Sequence, residues 1–373
     1  MIRIYGMGGI FLGSPEFIEL SWNRKWKEAG DFSLYLRAED YASLSKTEYM
    51  IPTHIQIAGR SELARIEKIV YEEKIEGHMV TLSGRFCESA FDTYAYINDS
   101  REYDSLSEIL TRGAMTAYQA ANGLEVNPED FSRYEGSVTL DYNKTLGEIV
   151  RDKLKPDSFE MAYSANEYGS LQTGKLKPKK GKDLKDKVFF GEPWRNVKKI
   201  EYVLDMSAAV REVYAVWPIP KECEADRTGT GVTAIKDGES VQVLYAAANN
   251  SLSGYRLPYG THVFEPSIDV GEVNKANLNE KQPEIEEKLR RAAELELLNH
   301  YKIETVNVEV LQNKFFYLKD YDLGDTCTVM IDELQQSFSV RIVEVREVYS
   351  KNSREIELVL GTPTKINYRK VMV

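Results

Sequence analysis

The feature that most constrains this chain is an apolar alternation of period two that recurs from one end to the other. Phe32, Leu34 and Leu36 alternate with polar neighbours, as do Ile55 and Ile57, then Val306, Val308 and Val310, then Cys327, Val329 and Ile331, and finally Ile356, Leu358 and Leu360. Successive side chains of a strand point to opposite faces, so this spacing buries one face of a sheet and leaves the other wet. Turn residues fall between the runs, at Glu76-Gly77, Asp237-Gly238 and Lys351-Asn352-Ser353, where antiparallel hairpins need them. The 23 tyrosines suit half-buried strand positions, with an apolar body and a polar tip.

Helical spacing interrupts the pattern in three places. From Ser105 to Ala121, Leu106, Ile109, Leu110, Ala114 and Tyr118 lie near one face, with Ser105 and Glu108 as a capping box. Leu146 to Leu154 predicts a short amphipathic helix stopped by Pro156. The clearest helix is predicted from about Pro283 to Tyr301, with Pro283 in its first turn and Ile285, Leu289, Ala293 and Leu297 as a buried stripe. The lysine-rich run from residue 175 to 187 reads as a solvated connector that marks a boundary.

With 373 residues the chain is long enough for two to four units with their own cores. A net charge of −11 argues against a role built on nucleic acid or anionic membrane surfaces. Cys87, Cys223 and Cys327 are far apart, without a CxxC pair or a histidine at ligand spacing, and are read as small apolar residues. The N-terminus lacks the uninterrupted apolar stretch of a signal peptide, which points to synthesis and assembly in the cytoplasm.

Chemistry-bearing motifs are weak. His54, His78, His262 and His300 stand singly, outside any nucleophile elbow or HExxH context. Gly6, Gly8 and Gly9 imitate a dinucleotide loop only superficially and are read as a leader or turn. Asp320, Asp322 and Asp325 resemble a calcium loop, but the twelfth position is Ile331 where an EF-hand needs glutamate, so a turn is expected. Glu88 and Asp92 are a nominal glycosidase pair in a chain this acidic. No catalytic, cofactor-binding or metal-ligating residue is assigned, and no cofactor is expected.

The two ends share a pattern. Gly30-Asp31 opens one alternating strand, and Arg65-Ile66 later leads through a turn into a segment closing on Gly84. Gly324-Asp325 opens another, and Arg341-Ile342 leads through a turn to Gly361. An internal duplication would give each chain two similar modules, so that a ring of three chains presents six.

Together with Ile18 to Trp22, Asp31 to Leu36, Thr81 to Arg85, Tyr321 to Val329 and Leu358 to Gly361, these segments resemble the tail-associated or baseplate hub proteins of phages. The resemblance spans nearly the whole chain and is looser between about 100 and 280. It implies a mainly-β fold with α+β insertions: two tube-like antiparallel β-barrel domains and two smaller peripheral domains. The first barrel would occupy 1–98, completed by part of 185–220. An α+β peripheral domain with the lysine-rich connector would occupy 99–184, a β-rich middle region 185–282, and a helix followed by the second barrel 283–373. The implied role is structural and non-enzymatic: a homotrimeric hub joining a hexameric tail tube or distal tail protein to a central spike or tip, and contacting the tape-measure protein. It implies no sequence-specific nucleic-acid binding and no membrane insertion. Assembly would take place in the bacterial host cytoplasm and the mature protein would sit in a phage tail or phage-tail-like particle. The chain's end at Val373 suggests that any spike or wall-cutting activity lies on another polypeptide. The alternatives are a β-rich cell-wall hydrolase using Glu88 or Asp92, and a saccharide-binding adhesin using Trp194 and Trp217.

Overall fold

The computed structural model describes residues 1–44, 51–75, 77–93, 123–134, 145–210, 212–219, 261–273, 276–297, 303–351 and 353–361. It also describes short pieces at 102–103, 106, 109–110, 138–139, 228–229, 232–237, 240–248 and 300. The chain divides into two units. Unit 1 joins Met1–Glu201 to Val306–Pro363, and unit 2 comprises Tyr202–Thr305 with Thr364–Val373.

The fold is mainly β with helical insertions. In unit 1 the N-terminal strands are β1 (Ile2–Tyr5), β2 (Phe11–Gly13), β3 (Glu19–Lys25), β4 (Asp31–Arg37), β5 (His54–Ile57), β6 (Ala64–Lys74) and β7 (Gly77–Phe86). They adjoin in the order β3-β4-β7-β6-β5-β1-β2. On the other side of β3 lie Gln336–Ser350, Arg354–Gly361, Ile303–Val310 and Val197–Asp205 in turn. Thr326–Ile331 branches from Gln336–Ser350 and pairs in parallel with Phe189–Gly191, making 13 strands. The two ends of the chain therefore meet in one sheet, with Trp22 opposite Glu347, and its path stays open among the described residues.

The alternation read from the sequence is what packs this sheet. Leu20, Trp22, Phe32, Leu34, Leu36, Val80 and Leu82 form one core with Ile2, Ile4 and Ile55, and the Trp22 and Phe86 rings lie 4.6 Å apart. Val306, Val308, Val310, Cys327, Val329, Ile356, Leu358 and Leu360 are buried in the C-terminal strands. A second core gathers Phe91, Phe131, Ile149, Val150, Leu154, Met161 and Leu176 beneath the Leu146–Leu154 helix. Leu106, Ile109 and Leu110 are buried there too, whereas the rest of the helix expected from Ser105 to Ala121, its capping box included, lies outside the described residues.

The duplicated pattern has a partial counterpart. Both terminal hairpins carry a β-bulge just after their Arg-Ile pair, between Ile66 and Lys68 and between Ile342 and Glu344. Both Gly-Asp pairs also open where a side chain has no room: a Cβ on Gly30 would lie 2.2 Å from the Asn23 carbonyl, and one on Gly324 2.0 Å from the Trp26 ring. The strand pairing differs. β4 lies beside β7, the outgoing hairpin strand, but Thr326–Ile331 lies beside the incoming one. The tight turn at 332–335 forces the second arrangement, while the long excursion after β4 allows the first.

In unit 2, Glu212–Ile219 pairs antiparallel with Ser240–Ala248 and parallel with Thr261–Phe264. The long helix spans Leu278–Leu297, so it starts five residues before the Pro283 at which the expected span to Tyr301 begins, while residues 298–299 and 301 lie outside the described residues. Pro283 sits inside the helix, which continues past it at the loss of one backbone hydrogen bond. The expected stripe is correct: Ile285, Leu289, Ala293 and Leu297 pack against Val210, Val213, Ala215 and Val270.

Candidate functional site

The most unusual chemistry of unit 1 is a buried charge junction where the two chain ends meet. β3 carries Arg24 in alternation with Leu20 and Trp22, so the pleat drives a guanidinium inward, and it is only 4% exposed. A buried charge must be paired to persist. Arg24 reaches Glu62 at 2.5 Å, Asp322 at 2.5 Å and the Tyr317 hydroxyl at 2.5 Å. Glu347, fully buried on Gln336–Ser350, accepts two bonds from Arg60 at 2.7 and 2.5 Å, one from Tyr349 at 2.6 Å and one from Arg354 at 2.9 Å. Tyr317 donates to Glu347 at 3.3 Å and bridges the two halves of the network, its ring flanked by Arg24, Arg60 and Arg354.

Burial opposes these charges and the partners prevail. Burial would raise the Glu347 carboxyl, yet the Arg60 hydrogen bonds hold it below its ordinary range. Burial likewise works against ionised Asp322, but Arg24 and Lys179 keep it low. Burial pushes the Tyr317 phenol far up, so it stays a neutral donor. Lys179, lowered by burial and by Arg24, lies 3.8 Å from Glu160 and 3.9 Å from Asp322. Each carboxylate named here faces a cation, so the junction's chemistry is to fix one geometry across distant segments.

The other face of the sheet is polar. Ser21 and Asn23 alternate with Leu20 and Trp22 and border an open groove of about 340 Å³ over the C-terminal strands. Glu201, Glu309, Glu355 and Glu357 line it against Lys199 and Arg346. Arg346 pairs with Glu357 at 3.4 Å, and Lys198 with Glu309 and Glu355 at 2.5 and 3.2 Å.

The residues singled out in the sequence fall into place individually. Asp322 belongs to the junction, Asp325 accepts the backbone N–H groups of Lys182 and Asp322, and Asp320 accepts that of Phe316, so all three serve turns and pairing. Glu88 is buried and accepts the Met161 N–H at 3.1 Å, while Asp92 pairs with Arg151. The cavity beside Glu88, about 30 Å³, has room for roughly two or three waters and not for a sugar ring. His54 is buried beside Thr53, and His78 stacks on Tyr71 at a hairpin. His262 and His300 come together, with ring centroids 4.2 Å apart.

Gly8 and Gly9 form a left-handed turn between β1 and β2, so a buried strand precedes them and a second strand, not a helix, follows. Cys87 and Cys327 are buried thiols, Cys327 pushed up to about 12 by burial, and Cys223 lies outside the described residues. Trp194 stacks on Phe189 at 5.3 Å, and the Trp217 side chain lies outside the described residues. Part of the lysine-rich run is sheet: Gly174–Lys179 pairs with Ser158–Ala162, because Leu176 supplies a buried anchor and Lys179 finds carboxylates. The signal missed in the sequence was Arg24, a charge at an inward position of an apolar alternation.

This sheet and its insertions form a phage tail-protein fold. The structure superposes on the crystal structure of the prophage MuSo2 43 kDa tail protein from Shewanella oneidensis with a TM-score of 0.52 at 11% identity, covering 96% of this chain and 97% of that one. A tail protein from Neisseria meningitidis MC58 is similar at a TM-score of 0.49 and 10% identity, with 97% and 96% covered. No curated protein matches the sequence. A model of the Siphovirus ReqiPepy6 Gp37-like protein family matches residues 13–362, and the chain belongs to that family.

Proposed function

We propose that this chain is the structural, non-enzymatic hub of a phage or phage-tail-like particle. Three copies form a ring of pseudo-sixfold symmetry that joins the hexameric tail tube or distal tail protein to a central spike or tip. The observation that supports this reading is the sheet built from both chain ends, which among the described residues is open, with edge strands at Phe11–Gly13 and Val197–Asp205. Unpaired edges invite pairing, and head-to-tail pairing of identical copies closes a ring. The two terminal hairpins share the position of their bulge, and on this reading each copy counts as two steps, so three copies supply six. The polar groove, whose four carboxylates are met by Lys198, Lys199 and Arg346, keeps a slight acidic excess, which suits the wall of a passage that does not hold DNA. The tape-measure protein would meet the same ring, assembled in the bacterial host cytoplasm and retained in the mature tail. The N-terminal strands and the C-terminal hairpin would be the tube-like modules, and the insertions between them the peripheral domains.

Light scattering on the purified chain tests this directly. A particle of three chains, with threefold views in negative stain, is expected. A strict monomer at high concentration, with no threefold density in assembled tails, would overturn the proposal.

A further inference from the structure

We propose that His262, Glu296 and His300 of unit 2 form a binding site for a divalent transition-metal ion, with zinc as the best fit. His262 lies on the edge strand Thr261–Phe264, Glu296 in the last turn of the Leu278–Leu297 helix, and His300 just beyond that helix. Both Nε2 atoms stand 3.3 Å from the same Glu296 Oε1, and the three ligand atoms lie within 4.8 Å of one another. Tetrahedral zinc with bonds of about 2.0–2.1 Å sets its ligand atoms about 3.3 Å apart, so two edges of the tetrahedron are already in place.

The hydrogen bonding of His300 supports this assignment. Its Nδ1 is 3.0 Å from the Ala208 carbonyl, an acceptor only, so Nδ1 carries a hydrogen. Nε2 then faces a carboxylate oxygen, and that contact needs a positive charge between the two, carried by a proton or by a metal ion. With a second imidazole on the same oxygen and the two ring centroids 4.2 Å apart, one metal ion serves both rings, and a ligating histidine anchored through its other nitrogen to a carbonyl is the usual support of such sites. Two imidazoles and one carboxylate favour zinc and its neighbours over calcium or magnesium, which take oxygen ligands. The three side chains are 34%, 26% and 19% exposed, so a water or a partner's side chain could complete the coordination. The bound ion would tie the edge strand to the helix end.

The untagged full-length chain, stripped with chelator and dialysed, is titrated with zinc chloride by calorimetry. Uptake of one ion per chain at micromolar affinity or tighter is expected, with a rise in thermal midpoint. His262→Asn, Glu296→Gln and His300→Gln should each weaken binding at least about tenfold, while His78→Ala leaves it unchanged. Zinc X-ray absorption on the loaded wild type, which needs no variant, should show two imidazoles in the coordination shell. No stoichiometric uptake, equal binding by a folded His262→Asn/His300→Gln variant, or an all-oxygen shell would each overturn the site. A proton alone between His300 and Glu296 would appear as the first of these outcomes.

Discussion

Glu347 shows how much one buried charge can organise. It is fully buried and engaged by Arg60, Tyr349, Arg354 and Tyr317. Removing it strands Arg60 in a low-dielectric site, so Glu347→Leu should lower stability by about 3–5 kcal/mol. Arg60→Met/Glu347→Leu removes both charges and should cost less than the sum of the single changes by about 0.5–3 kcal/mol, measured by urea denaturation. Additive losses would mean that the pair is not coupled. Glu88 makes a pH-dependent contribution of the opposite kind. Burial raises its carboxyl from 4.5 to about 7, against the pull of the Met161 N–H, and its Oε2 has no protein partner. The folded state thus holds a proton that the unfolded state releases at lower pH. This contribution to stability is intact below pH 4.5, falls as pH rises to about 7, and is fully lost above it. At about 1.4 kcal/mol for each pH unit, Glu88→Gln should gain up to roughly 3 kcal/mol on the wild type between pH 4.5 and pH 8. His54, lowered to about 4 by burial, costs stability as pH falls below 6.5, but it is common to both proteins and cancels in the comparison.

At the scale of elements, local pattern fixed what a segment is more readily than what it touches. The alternation at Phe32 to Leu36 and at Val306 to Val310 identified strands and their buried faces, since a period of two is a local property. The stripe from Ile285 to Leu297 marked a helix for the same reason. The pairing of β3 with Gln336–Ser350 was not legible, because β3's hydrogen-bonding edge accepts any strand of suitable pleat, and what distinguishes this one, Tyr349 packed on the Leu20–Trp22 core and the buried partners of Glu347, is assembled from distant segments. The His262 cluster also needed three dimensions, although Glu296 and His300 stand four apart, a ligand spacing. Pro283 misled as a start signal because a proline marks tolerance of a lost N–H and not the first residue. The Leu146–Leu154 helix carries a capping box that explains its start: the Thr145 side chain accepts the Glu148 N–H at 3.2 Å and Glu148 accepts the Thr145 N–H at 2.9 Å. Thr145→Ala should cost about 1 kcal/mol and speed amide exchange in that helix. An unchanged exchange rate there would show that tertiary packing alone sets the helix start.

For the whole molecule, order along the chain and position in the fold differ. Unit 1 joins Met1–Glu201 to Val306–Pro363, and the Tyr202–Thr305 part of unit 2 is inserted between them with its own core of Val210, Val213, Ile285, Leu289 and Ala293. Glu201 and Val306, where the insertion leaves and rejoins unit 1, lie on strands that pair with each other, so a short flexible linker spans them. Replacing 202–305 with a few glycines and serines should therefore leave unit 1 folded, with Trp22 and Trp26 buried and a cooperative loss of their fluorescence signal in urea. Deleting 336–361 removes far fewer residues but takes away the partner of β3 and the buried acceptor of Arg60. That edge, with Arg60 stripped of Glu347, should make the truncated chain unfold or aggregate. If the short C-terminal deletion were tolerated and the long internal one were not, the two ends would not form a single folding unit, and the ring built on their common sheet would lose its basis.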